Sequence, residues 1–146
     1  MIKKKKNAKL DKKIVFAITA SPYRHECVVV CNGQFSDAMK FMSKNMNASG
    51  YGEIMKDVNS SKDEYLDDFK NGTGCGRLYT ELSGIYVMLI SHESSWIQTT
   101  GIVIHECLHL THYILRRAGL TLIKDSEEAY TYLQQDLTEK ILRKIY

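Results

Sequence analysis

Five residues carry the chemistry that can be read from this chain: His105-Glu106-Cys107-Leu108-His109. On a helix, residues four apart lie about 40° from each other on one face, separated by roughly 6 Å of rise. Two imidazoles so placed can turn inward and share one Zn²⁺ at about 2.0–2.1 Å each. Glu106, one step round from His105, can reach water beside such an ion without being a ligand itself. That is where a general base belongs.

The elements that would position this motif have their own signals. Ile102, Val103, Ile104, Cys107, Leu108, Leu110, Ile114 and Leu115 flank it with apolar residues on nearly every side. Such a helix is expected to be buried. Histidines and a glutamate inside it would be costly unless paired or metal-bound. Ser94 or Ser95 is available as N-cap, while Arg116, Arg117 and Gly119 supply a basic last turn and a stop. After a short connection, Asp125, Glu127 and Glu128 open a final helix with acids in its first turn. Ala129, Leu133, Leu137 and Ile141 recur every four residues as its buried face.

A catalytic zinc site keeps three protein ligands and one open position. His112 shares the face of the other histidines but lies about 10.5 Å along the axis from His105, too far for one ion to reach both easily. The carboxylates of the return helix are the natural candidates. Periodicity alone does not choose between Glu127 and Glu128.

The first half is expected to build the support. Residues 14–19 and 25–31 read as strands of a hairpin broken by Ser21-Pro22, with His25 a strand-end histidine. Ser36-Asp37 starts a helix with Ala38, Phe41 and Met42 on its packed face. Residues 47–76 are the least informative. Asp57, Asn59, Ser61 and Asp68 faintly follow a calcium loop, but Lys62 stands where that loop needs glycine, and a short amphipathic helix over 64–69 is the better reading. Residues 77–82 and 85–90 form a second hairpin about Ser83-Gly84, leading past His92 into the histidine helix.

Composition sets the outer bounds. A chain of 146 residues is expected to form one domain, 14–146, preceded by a basic tail, 1–13. That tail holds seven lysines and one acid, which leaves 13 of the 20 basic and 16 of the 17 acidic residues for the rest. The positive net charge of +3 therefore resides in the tail. It is expected to solubilise, with weak nucleic-acid contact as the alternative role. No apolar run is long enough for a membrane span, and no secretory signal is recognised. Cys27, Cys31, Cys75 and Cys107 lack C-x-x-C spacing and read as buried small hydrophobes, so a reducing, cytoplasmic setting is expected.

His105 and His109 followed by Glu128-Ala129 resemble the gluzincin branch of zinc metallopeptidases, in which the third ligand is a glutamate on the next helix. The order of elements from residue 77 onward is also similar to small metallopeptidase-like proteins of phages and mobile elements. The resemblance implies an α+β, minimal zincin-like domain: a small, mostly antiparallel sheet packed with a buried HExxH helix and a C-terminal return helix. It implies one Zn²⁺ per chain held by His105, His109 and Glu128, with Glu106 as general base. The substrate is then a peptide or protein, held in extended form along a sheet edge, for which residues 85–90 are the candidate. Two departures stand out. Tyr132 replaces the aspartate that supports a ligand histidine in thermolysin-like members. No residue plainly matches their oxyanion-stabilising Tyr and His, for which Tyr130, Tyr132, His112 and His92 are candidates. The alternative function is a non-catalytic zinc protein that binds a partner, or nucleic acid through its tail.

Overall fold

A strand whose residues are apolar without alternation must be covered on both faces. His25–Cys31 (β2), with the sequence HECVVVC, is such a strand, and everything else is layered about it. The computed structural model describes residues 12–60, 76–82, 85–91 and 95–146. The other described elements, in order, are β1 (Ile14–Ala20), α1 (Phe35–Asn45) after β2, α2 (Ala48–Ser60), β3 (Gly76–Leu82), β4 (Ile85–Ile90), α3 (Trp96–Arg117), a 3₁₀ turn (Lys124–Ser126) and α4 (Glu127–Ile145).

The strands form a four-stranded sheet in the order β1-β2-β4-β3. β1 and β2 pair antiparallel, with Val15 opposite Val30. β3 and β4 also pair antiparallel, with Leu78 opposite Met88. β2 and β4 run parallel, with Val28 opposite Val87. The fold is α+β, and the sheet is mostly antiparallel as expected, with one parallel ladder at its centre.

Strand alternation splits the core in two. Val28, Val30, Val87 and Leu89 pack against Phe35, Ala38, Met42 and Ile54 on one face. Cys27, Val29, Cys31, Tyr86, Met88 and Ile90 pack against Val103, Cys107, Leu110, Leu137 and Ile141 on the other. The molecule thus has three layers: α1 and α2, the sheet, then α3 and α4.

One expectation is corrected here. Residues 85–90 were expected to offer a free edge, yet β4 is bonded on both sides, to β2 and β3. Its residues Tyr86 to Ile90 are at most 1% exposed, and so apolar a run has to be interior. The edge on the α3 side is β3, whose sequence GRLYTEL carries polar residues. The second helix, α2, was not anticipated, because Gly50 and Gly52 lie within it and blur its periodicity. The anticipated helix over 64–69, the turn at 83–84, His92, Cys75 and residues 1–11 lie outside the described residues. Lys13, assigned to the tail, is tied to α1 by an ion pair with Asp37 at 2.7 Å.

α3 begins where Ser95 Oγ accepts a bond from the Gln98 N–H at 3.2 Å. It ends in a Schellman motif: Gly119 N–H donates to Arg116 O at 3.0 Å and Leu120 N–H to Leu115 O at 2.9 Å. Gly119 adopts φ 81°, a left-handed conformation that glycine takes without strain. The helix is less enclosed than its composition suggested. Thr99, Val103, Glu106, Cys107, Leu110, Thr111, Ile114 and Leu115 are buried, whereas Ile104 and Leu108 are 44% and 46% exposed. The reason is the neighbours' placement: α3 packs on β3, β4 and α4, which leaves its outer flank open.

The return is fixed by polar bonds at its corner. Buried Ser126 donates from Oγ to Thr121 O, and its Oγ accepts from the Ile123 N–H at 3.1 Å. Tyr130 OH donates to Leu120 O at 3.2 Å. Lys140 Nζ reaches Thr19 O at 2.9 Å and so ties α4 to β1. No helix among the described residues is long and apolar enough to cross a membrane.

Candidate metal and catalytic site

His105 and His109 stand one turn apart on the open flank of α3, and their Nε2 atoms approach to 3.1 Å. Their rings meet edge to face, with centroids 4.7 Å apart and planes at 80°. Without a metal, one neutral ring can donate to the other. With ligand distances of about 2.0–2.1 Å, one ion could also touch both nitrogens, because their separation is below twice that length. The pair therefore fits two of the donors a zinc site needs.

Glu106 faces the other way round the helix, toward the sheet. It is only 6% exposed, and it is seated against the first residue of β3. A Cβ built on Gly76 would lie 2.6 Å from Glu106 Oε1 and 2.7 Å from its Cγ. Only a residue with no side chain leaves room for the carboxyl there. Burial raises the Glu106 pKa above its ordinary 4.5, with His105 and His109 opposing that shift. A raised pKa makes the group a better proton acceptor and holds it nearer the range where general bases work.

These side chains share one open cavity of about 320 Å³, lined by Gly76, Leu78, His105, Glu106, His109 and Tyr113. The floor is the first half of β3 and the wall is α3. Tyr113 belongs to this set and was missed in the sequence. The signal was available: Tyr113 is four residues beyond His109, and helical side chains lean back toward the N-terminus.

Glu128 is not in this group. It is exposed in the first turn of α4, and so is Glu127. Among the described residues, no three or more His, Cys, Asp or Glu side chains gather closely enough to hold a metal ion. The cause lies in how the helices pair. Gln134 Nε2 reaches Ile104 O at 3.5 Å, and the His112 and Tyr130 rings lie 6.4 Å apart. Gln134 is thus beside the first histidine, and α4 runs back along α3 from there, but Glu128 points about 180° away from the buried Leu137 and so away from the packed face.

The remaining candidates fall elsewhere. His112 meets the Tyr113 ring edge to face and the Tyr130 ring at a tilt, with centroids 6.1 and 6.4 Å away. Tyr132 lines a separate cavity with Ser21, Pro22 and Asp136. His25 sits at a strand end, edge-on to Tyr86 at 5.8 Å. Cys27, Cys31 and Cys107 are buried free thiols in the core. Burial raises the Cys31 pKa to about 11 and that of Cys107 to about 12, which suits packing and not catalysis. No known family matches the chain, and no curated protein or solved structure matches it.

Proposed function

We propose that this chain is a zinc-dependent peptide hydrolase of zincin-like design, in which His105 and His109 hold the metal and Glu106 is the general base. One observation carries the reading: paired Nε2 atoms 3.1 Å apart and a buried carboxyl line the same open cavity. A structural core helix has no need to collect these three side chains at one opening. Zinc bound there would supply Lewis acidity and make water nucleophilic near neutral pH. Glu106 is placed to take a proton from an attacking water and would pass it to the departing amine nitrogen. Its seat against Gly76 places the carboxyl at the cavity. The unpaired backbone of β3, at the sheet edge along the cavity floor, would receive an extended peptide as an added strand. Glu128 enters as third donor on the strength of the motif alone.

A second reading has its own support. The absence of a third His, Cys, Asp or Glu beside the pair, among the described residues, is what a non-catalytic protein would show. Such a protein would bind zinc weakly or hold the histidines by their mutual hydrogen bond, and would use its surfaces for a partner. Nucleic acid held through residues 1–13 is the partner suggested by charge.

Zinc per chain, measured after repletion on wild type, Glu106→Gln, Glu127→Ala and Glu128→Ala, separates the readings, together with cleavage of a peptide library. A hydrolase binds one zinc per chain, cleaves peptides, and loses turnover but not metal in Glu106→Gln. Wild type that holds no zinc would sink the proposal. Zinc without cleavage would favour the binding protein.

A further inference from the structure

We infer that the outer face of α1 is a docking surface for the phosphate backbone of duplex nucleic acid, built from Lys12, Lys40 and Lys44 and continued by the lysines of residues 1–11. It lies apart from the histidine site, and it stands whether or not that site hydrolyses peptides.

The face follows from helical phase. Phe35, Ala38 and Met42 are buried against the sheet. At 100° per residue, Ser36, Lys40, Ser43 and Lys44 fall on the opposite side, and all four are exposed. Lys40 and Lys44 are one turn apart, about 6 Å along the axis. Asp37 is the one acid of α1, and it is already engaged. It accepts from Lys13 Nζ at 2.7 Å and from the Gln34 N–H at 2.9 Å. Lys40 is near enough for its charge to help lower the Asp37 pKa. Among the described residues, Lys12, Lys40 and Lys44 form no ion pair.

The junction with the N-terminal segment is built into the fold. Lys13 crosses Gly33, where an added Cβ would lie 3.0 Å from Lys13 Cδ and 2.8 Å from Asp37 Oδ2. Glycine there leaves room for the lysine stem to reach the first turn of α1. Residues 1–11 hold Lys3, Lys4, Lys5, Lys6 and Lys9 against one acid, Asp11. Those cations are therefore tethered to one end of the α1 face.

The chemistry selects the partner. The large apolar side chains exposed among the described residues lie on α3, on α4 and in the segments flanking α4, and none is on β1 or α1. An amphipathic membrane surface would set apolar anchors beside the lysines, and a single strand would be met with aromatic rings for stacking. A row of lysines offers charge alone, which suits the phosphates of a duplex and reads no sequence. α1 and α3 cover opposite faces of the sheet, so a duplex on α1 leaves the cavity at His105 and His109 open.

The test measures binding of the full chain to two duplexes of unrelated sequence over a series of salt concentrations, with phosphatidylserine vesicles as a second probe. The double variant Lys40→Gln, Lys44→Gln is compared with Arg116→Gln, Arg117→Gln, an equal change of charge at the exposed end of α3. Both variants should melt close to wild type, because all four side chains are exposed. Each phosphate neutralised adds about 0.9 to the slope of log K against log salt, so the lysine variant should lose about 1.8 of slope. It should weaken both duplexes alike, and the arginine variant should keep the wild-type slope. An unchanged slope in the lysine variant would overturn the inference and leave any binding to residues 1–11 alone. An equal loss in the arginine variant would overturn it as well, as would wild type that binds no duplex or binds only the vesicles.

Discussion

Replacing Gly76 by alanine should disable the site while leaving the fold nearly intact. The added Cβ would stand 2.6 Å from Glu106 Oε1, 2.7 Å from Cγ and 2.9 Å from Cδ. Carbon atoms in ordinary contact keep about 3.5–4.0 Å, so the carboxyl has to retreat by roughly 1 Å. Gly76 is paired in register opposite Ile90, which favours movement of the side chain over movement of β3. The glutamate can move, since the cavity of about 320 Å³ opens beside it. An off-rotamer side chain costs about 0.5–1.5 kcal/mol, which at this chain length shifts Tm by a few degrees (about 2–4 °C per kcal/mol). Catalysis is less forgiving: a misplacement of about 1 Å can cost on the order of 10²-fold in rate. The expected Gly76→Ala protein therefore melts within a few degrees of wild type, holds the same zinc, and has kcat reduced on that order. Gly101→Ala is the matched control. Gly101 lies in α3 with nothing within 4 Å of a built Cβ, so alanine should stabilise by about 0.5–1 kcal/mol and leave turnover alone. Full activity in Gly76→Ala at equal zinc loading would show that Glu106 does not work from its seat on β3.

Three further outcomes follow from the fold. Ser95→Ala removes the acceptor for the Gln98 N–H and should cost about 1 kcal/mol, read as a lower Tm; an unchanged melt would mean the cap is dispensable. Asp37 accepts from the Gln34 N–H at 2.9 Å and from Lys13 Nζ at 2.7 Å, and these bonds lower its pKa below the ordinary 3.8. A lowered folded-state pKa means its contribution is complete above the unfolded value and is lost as pH falls through the folded one. Asp37→Ala should thus be less stable than wild type at pH 7, with the two denaturant midpoints converging as pH drops below 3.8; a constant gap would contradict the linkage. Cys27, Cys31 and Cys107 should resist iodoacetamide in the folded protein at neutral pH, because burial raises all three thiols. Peptide mapping that finds Cys107 alkylated before unfolding would refute the packing of α3.

The elements of the site were legible because each has a local signature. The apolar runs at 25–31 and 85–90, the Ser95 cap and the stop at Gly119 all depend on neighbours within a few residues. Which strand lies at the edge does not. β3 and β4 read as equivalent arms of a hairpin until one asks which could tolerate an open side. Tyr86 to Ile90 could not, and Arg77, Thr80 and Glu81 in the other strand could. The exposure of Ile104 and Leu108 was hidden for a similar reason. Composition says how apolar a helix is, whereas only its neighbours decide which flank they cover.

The third donor shows where a motif and helical phase disagree. Leu137 is fully buried, and Glu128 precedes it by nine residues, which at 100° per residue places it about 180° away. The carboxylate therefore leaves α4 on the side opposite its packed face. Glu127, one residue earlier, falls within about 20° of Gln134, the residue that reaches Ile104 O on α3. Phase thus favours Glu127 on the flank that meets the histidine helix, while the Glu-Ala pairing favours Glu128. Among the described residues neither gathers with His105 and His109 as the helices are packed. The zinc measurement on the two alanine variants then carries more than a ligand assignment. Loss of metal with Glu128→Ala alone would require α4 to roll on binding zinc. Loss with Glu127→Ala alone would require no such roll. If both variants keep zinc, the pair of histidines binds without α4, and the likeness to the gluzincin pattern ends at the HExxH motif.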